Sequence, residues 1–258
     1  MLRLLSPIAL GICLLIFWEI MVWALDTPVF VLPGPIAIFN ALVANFGSLM
    51  VSAWATLRIT IAAFLVALVA GVALATLFSQ SRLMELMIYP YAVALQVTPV
   101  VAIAPLIIIW VGYDRIEFAL LILATIVAFF PILSSTALGL KSVDHGLRDL
   151  FRLYGASRWQ TLVKLELPST LPLLLTGMKT SGGLAIIGAV VAEFVAGSGT
   201  ATGLAWRIAE AGNRLEIPKM FAALLLLSLL GIAIFLLLSA LEYAVLRKWH
   251  ESMVKREG

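Results

Sequence analysis

The sequence predicts an all-α fold, a polytopic membrane helix bundle of about six transmembrane helices with one charged loop kept outside the membrane. Three observations predict it. The 258 residues are 63% hydrophobic and only 12% charged, with mean hydropathy +1.11, whereas soluble domains run near half apolar and a quarter charged. The apolar residues gather in runs long enough for a bilayer, which needs about 20 of them. Lys and Arg concentrate at the ends of those runs. The length fits one bundle, so residues 1–258 are expected to form a single transmembrane domain.

The expected spans are 7–25, 55–78, 86–111, 118–140, 173–196 and 220–245. The first begins like a secretory signal, with Arg3 as its basic start. Its apolar run is too long for one and carries Glu19, Trp18 and Trp23, so it is read as an uncleaved anchor. Trp18, Trp23, Trp110 and Tyr113 sit near span ends, as aromatic belts do. An even number of spans puts both termini on one side. That side holds Arg3, Arg82, Lys141, Arg148, Arg152, Arg158, Lys164, Arg247, Lys248, Lys255 and Arg256. The other holds only Arg115, Arg207, Arg214 and Lys219. The positive-inside rule therefore places both termini and the 141–170 loop in the cytoplasm of a multi-pass membrane protein.

Two external segments follow. Residues 26–54 open with TPVFVLPGP, whose Pro and Gly forbid regular helix, and continue into a stretch suited to a short interfacial helix. Residues 197–219 open with the flexible turn GSGTATG and lead into WRIAEAGNRLEIPK, which suits a short external helix.

The loop 144–172 stands apart. Leu147, Leu150, Phe151 and Tyr154 recur at helical spacing and define an apolar face, with His145, Arg148, Asp149 and Arg152 opposite. Gly155 falls where a helix C-cap needs positive φ, and Ser157 is placed to cap a second helix bearing Trp159, Leu162 and Val163. Pro168 and Pro172 are expected to end that helix before the fifth span. Read alone, this is either a surface-lying amphipathic loop or a unit presented to a partner.

The loop resembles the cytoplasmic motif of ABC importer permeases, the binding-protein-dependent inner-membrane subunits: E-A-A, three residues, G, nine residues, I, one residue, L-P. Here Gly155 is followed after nine residues by Leu165-Glu166-Leu167-Pro168. The departures are Asp149-Leu150-Phe151 for E-A-A and Leu165 for Ile. The resemblance continues through Leu32-Pro33, Thr98-Pro99, Ala104-Pro105-Leu106, Trp110-Val111-Gly112, Phe130-Pro131-Ile132, Gly139, Gly155-Ala156-Ser157, Gly177-Met178-Lys179 and Ala192-Glu193. This order is similar to the nitrate/sulfonate/taurine branch of type I importer permeases. The stretch from Gly197 looks closer to the members that carry thiamine pyrimidine precursors.

The resemblance implies an assembly. Two permease subunits, as a homodimer in membrane lipid, would form the pathway; a cytoplasmic ATPase dimer would bind ATP and Mg; an extracytoplasmic solute-binding protein would deliver solute to the 26–54 and 197–219 surface. It implies that Asp149, Gly155, Ala156, Ser157, Trp159, Leu162, Leu167 and Pro168 belong to a coupling helix docking on the ATPase. Gly155 would permit close approach, and Trp159 and Leu162 would fill the groove. This chain would bind no cofactor itself, and it would not be an enzyme.

The residues agree. No G-x-x-x-x-G-K-[ST] loop is present, so ATP chemistry falls to another chain. His145 and His250 are the only histidines, and no H-E-x-x-H occurs, so no metal site is expected. The basic residues mark membrane boundaries rather than a nucleic-acid surface. Polar residues at membrane depth either line a cavity or bond within their own helices. Gln96, Thr98 and Pro99 are expected to break the third span near its middle, and with Ser134, Ser135 and Glu193 they are the candidates for a translocation pathway. Glu19, Arg58 and Lys179 suit snorkelling at span ends. Gly71 with Ala75, and Gly188 with Ala192, suit close helix packing. An ion-coupled secondary transporter is the alternative. It needs an inverted repeat or a buried titratable pair, and neither is visible in the sequence. An intramembrane enzyme would need a catalytic constellation within the spans, and none is found.

Overall fold

The computed structural model describes residues 2–197 and 202–247. Lys248, His250, Lys255, Arg256 and residues 198–201 of the expected flexible turn lie outside the described residues, as does the side chain of Arg3. The described chain is helical throughout, with no strand among the described residues. The helices are α1 (Leu2–Ala24), α2 (Pro35–Ala44), α3 (Phe46–Gln80), α4 (Arg82–Val97), α5 (Val100–Val111), α6 (Ile116–Lys141), α7 (His145–Leu153), α8 (Arg158–Thr161), α9 (Leu167–Ala196), α10 (Leu204–Asn213) and α11 (Ile217–Leu246).

Phe46–Gln80, Tyr113–Lys141, Arg158–Ala196 and Ile217–Leu246 are each long and apolar enough to cross a membrane. The expected span 86–111 breaks in its middle, as Gln96, Thr98 and Pro99 predict. It is the pair α4 and α5, bent by 102° at Thr98-Pro99. Proline disfavours helical backbone in the residue before it, and Thr98 is extended, with ψ 125°. Its hydroxyl donates back to the Ala94 carbonyl at 2.8 Å. In the first expected span, Ala9–Ala24 is a shorter apolar helix.

The described residues form two compact units. The first comprises residues 1–56 and 197–229. Its corner between α1 and α2 is held by Glu19, which accepts from the Ile36 backbone N–H at 3.2 Å. Gly34 precedes α2 without a capping side chain, and Glu19 supplies the missing acceptor from another helix. The side chain read as snorkelling is thus a helix cap. In the same unit the Leu204 amide donates to Thr56 Oγ1 at 2.9 Å and Arg207 Nε donates to Ser52 Oγ at 3.1 Å. Ser52 and Thr56 are fully buried. α3 therefore begins at Phe46, nine residues before the apolar run, because its first turns pack against α10 through polar side chains that hydropathy does not register.

The second unit comprises residues 57–196 and 230–258. Its centre is the contact of α6 with α9, built on small residues that let backbones approach. Where α3 meets α6, a Cβ on Gly71 would lie 2.8 Å from Ile132; where α6 meets α9, one on Gly188 would lie 2.9 Å from Ala124 Cα. Ser181 Oγ donates to the Ala128 carbonyl at 2.6 Å across the same contact. Fully buried Leu123, Ala124, Ala189 and Ala192 surround Gly188's turn.

Pro168 and Pro172 do not end the loop's second helix. From Arg158 the chain stays helical through Ala196. A π-turn over Leu162–Glu166 precedes Pro168, and there the Leu167 amide pairs with the Leu162 carbonyl. A proline lacks the N–H that the regular ladder expects, and a π-bulge is one way for a helix to absorb the mismatch.

Two expectations follow. Gly188→Val should cost about 1–3 kcal/mol by overpacking against the α6 backbone, while Gly183→Ala, which meets nothing within 4 Å, should leave thermal stability in detergent unchanged. Glu210, bonded by Arg207 at 2.7 Å and Arg214 at 3.0 Å, has its carboxyl held below the ordinary range by the Arg207 hydrogen bond. Its folded value is below its unfolded value. The stabilisation is therefore present above the unfolded value and lost as pH falls through the folded one. Hydrogen-exchange protection along α10, corrected for the intrinsic pH dependence of amide exchange, should fall on acidification, and Glu210→Gln should remove that fall.

Candidate functional site, the loop between α6 and α9

α6 ends at Lys141, and Asp144 starts α7 by accepting from the Leu147 amide at 3.1 Å. The end of α7 is a Schellman turn. The Gly155 amide donates to the Arg152 carbonyl and the Ala156 amide to the Phe151 carbonyl, both at 2.9 Å. That pattern requires a left-handed residue, and Gly155 has φ +68°. Ser157 then opens α8 with a reciprocal capping box: its hydroxyl accepts from the Gln160 amide at 3.2 Å, and its own amide donates to Gln160 Oε1 at 2.8 Å.

The loop is braced from within. Arg148 Nη2 donates to the Leu140 carbonyl at the end of α6 and pairs with Glu166 Oε1 at 3.2 Å. One guanidinium thus ties α7 to both helices that it connects. The sequence reading missed Arg148 and Glu166 in this role. The signal for it is a pair of opposite charges flanking the Gly155 motif, and nothing in helical periodicity couples them. Lys141 and Arg82, at 2.8 Å, both bond Glu85 where α6 and α4 meet.

The predicted coupling residues divide into two groups. Trp159 is 71% exposed, and Tyr154 and Leu153 stand out beside it. Asp149 is exposed and paired only loosely with Arg152, at 3.4 Å. A Cβ on Gly155 would meet nothing within 4 Å, so this turn faces open space. A notch of about 340 Å³ lies alongside, lined by Leu150, Phe151, Tyr154, Ala156, Gln160 and Lys164. Leu162, by contrast, is 2% exposed and packs with Phe78, Leu133 and Leu140. It cannot fill a partner's groove, because its side chain already fills its own unit. Leu167 packs against the same cluster, and Pro168 is half-buried at the start of α9.

The pathway candidates are also dispersed. Gln96 lines a cavity of about 200 Å³ with Leu95, Val100, Ile126, Val127, Pro131 and Leu184, next to the bend at Thr98 and Pro99. Ser134 Oγ bonds back to the Pro131 carbonyl at 3.3 Å. Ser135 sits against Gly177, where an added Cβ would come within 2.7 Å of its own. Glu193 is fully buried in α9. Arg58 bonds Glu117, and both side chains are more than half exposed. Lys179 pairs with Glu242 of α11 at 2.5 Å, half-buried on both sides. No group of three or more metal-ligating side chains occurs among the described residues.

A broken apolar helix, close-packed α6 and α9, and a capped polar loop between them make up a helical protein with several helices long and apolar enough to cross a membrane. The family model for the binding-protein-dependent transport system inner membrane component matches residues 67–248. The formylaminopyrimidine transport permease protein of Halalkalibacterium halodurans is 34% identical over 243 residues, covering 94% of this chain and 95% of that protein. The riboflavin transport system permease protein of Chloroflexus aurantiacus is 34% identical, covering 93% and 88%. The putative aliphatic sulfonates transport permease protein of Bacillus subtilis is 31% identical, covering 86% and 79%. A crystal structure of an amino acid ABC transporter with histidines shares the fold at TM-score 0.65 and 15% identity, over 81% of this chain and 97% of that one. The chain belongs to the family of binding-protein-dependent transport system inner membrane components, the permeases of ABC transporters.

The geometry separates two roles of Gly155. Asn adopts the left-handed region more readily than other residues with a side chain. Gly155→Asn should therefore keep the turn and lose less than about 1 kcal/mol of stability. If close approach by a partner is the second role, Gly155→Asn should still lower ATPase coupling. Detergent thermal stability and ATP hydrolysis, measured on the same preparation, read the two apart.

Proposed function

We propose that this chain is the membrane-spanning subunit of an ATP-driven, binding-protein-dependent importer for a small solute. A separate cytoplasmic ATPase drives it through the loop at 145–166. The observation that carries this reading is the exposed apolar apex of Tyr154 and Trp159 around an unobstructed Gly155, on a loop whose other side is fixed by Arg148. An exposed tryptophan on a rigid turn is suited to anchoring in a partner's groove. ATP and Mg belong to the ATPase dimer. The permease acts as a homodimer, with both termini on the cytoplasmic side.

The solute enters along the broken span, with Gln96, Thr98 and Pro99 as its polar corner. Helix breaks are tolerated at membrane depth where backbone lines a cavity. Ser134 and Ser135 serve helix packing, and Glu193 is a buried polar group near the far end of α9. The solute is a small nitrogen heterocycle of the pyrimidine type rather than a sulfonate. Two relatives at 34% identity are named for heterocycles. Arg207, Arg214 and Lys219 are already paired with Glu210 or Glu216, which argues against their serving as an anion trap. An extracytoplasmic binding protein delivers the solute.

The ion-coupled alternative has one supporting feature, the Lys179–Glu242 pair. Uptake that needs ATP and survives collapse of the proton gradient selects the ATP-driven reading over it. Tagged wild-type chain extracted in mild detergent should bring down an ATPase, and Gly155→Arg should reduce the associated ATP hydrolysis at least tenfold while inserting normally. Full hydrolysis and uptake by Gly155→Arg would remove the loop from the mechanism.

A further inference from the structure

Behind the loop, within the second unit, lies a larger cavity of about 600 Å³. The ends of α3 and α6, the start of α4, and α7 and α8 enclose it. Its walls carry Arg82, Lys141, Arg148, Arg152 and Arg158 against only two carboxylates, Glu85 and Glu166. Those carboxylates are already engaged, Glu85 by Lys141 and Arg82 and Glu166 by Arg148. Arg158 has no ion pair among the described residues, and Arg152 holds only the 3.4 Å contact to Asp149 with its side chain 80% exposed. The Nε of Arg148 is buried and makes no hydrogen bond. A buried guanidinium N–H without an acceptor costs free energy, and the exposed cations around it favour an anion at that place.

The geometry points to a phosphate-binding site in this cavity, one that takes the phosphate of an anionic lipid headgroup or a soluble phosphate. Arginine's planar fork matches phosphate oxygens, and the cavity is large enough for a glycerophosphate headgroup. It is lined at the Lys141 end of α6, a helix long and apolar enough to cross a membrane. Basic pockets between helix ends recognise lipid headgroups. A phosphate there would bridge α4, α6, α7 and α8 and hold the loop against the bundle. The site does not depend on the ATPase contact, so its failure would leave the coupling proposal standing.

The test uses the full chain with its copurified partner, delipidated in detergent. Retention of dioleoyl phosphatidylglycerol is measured by native mass spectrometry and thermal stability by unfolding. Dioleoyl phosphatidylcholine and inorganic phosphate serve as the other probes. Arg152→Gln with Arg158→Gln removes two exposed cations whose one ion pair among the described residues is the loose Arg152–Asp149 contact, and Arg115→Gln, at the opposite end of α6, is the control. Phosphatidylglycerol should bind and stabilise the wild type and the control, and bind the double variant ~10-fold or more weakly, since each surface-near basic side chain contributes to anionic-lipid binding. Stabilisation by inorganic phosphate with the same variant dependence, and none by the lipid, would assign the site to a soluble phosphate. Equal responses of wild type and double variant to every probe would overturn the proposal.

Discussion

The helix that runs without a break from Arg158 to Ala196 is the constraint on which the rest of this structure depends. Its first turn is set by the Ser157 capping box, its second by a π-turn, and its long remainder packs on α6. No flexible joint separates the exposed Trp159 from the buried core at Gly188. A displacement of the loop therefore becomes a displacement of α9, because close-packed interiors transmit strain rather than absorb it. Arg148 extends the same logic to α6, since its guanidinium reaches the Leu140 carbonyl and Glu166 together. The loop is a rigid handle on the α6–α9 pair.

This arrangement explains the chemistry of the loop's two faces. The inner face spends its polar groups on itself, in the Arg148 and Glu85 networks, and its apolar Leu162 on the core. The outer face leaves Tyr154, Trp159 and the Gly155 turn exposed. In a soluble protein such exposure marks an interaction surface. In a permease whose lipid-facing helices are apolar all round, the distinguishing feature is that this patch sits on a charged, well-capped loop rather than on a span.

Much of the architecture is legible in the sequence because transmembrane helices are written in long apolar runs. The Gly155 C-cap and Ser157 N-cap are legible because φ > 0 and backbone capping restrict residue choice severely. Other features escape it. Pro168 and Pro172 read as breakers, yet the helix continues through both, with a π-turn just before Pro168. α3 starts early because Ser52 and Thr56 bury their hydroxyls against α10. Leu162 and Trp159 are three residues apart on one expected face, yet one is buried and one exposed. The π-turn beginning at Leu162 changes the helical phase between them and the rest of α9. The early start of α3 and the burial of Leu162 are tertiary contacts overriding hydropathy and periodicity.

The account rests on Trp159 touching the ATPase, and photo-crosslinking tests that contact without knowledge of the solute. Benzoylphenylalanine would replace Trp159 in one preparation and Trp110, also exposed, in another. Irradiation of the copurified assembly should join the ATPase to position 159 and not to position 110. An ATPase that copurifies but cross-links at neither position, or at 110 alone, would contradict the assignment of this loop as the drive point of the permease.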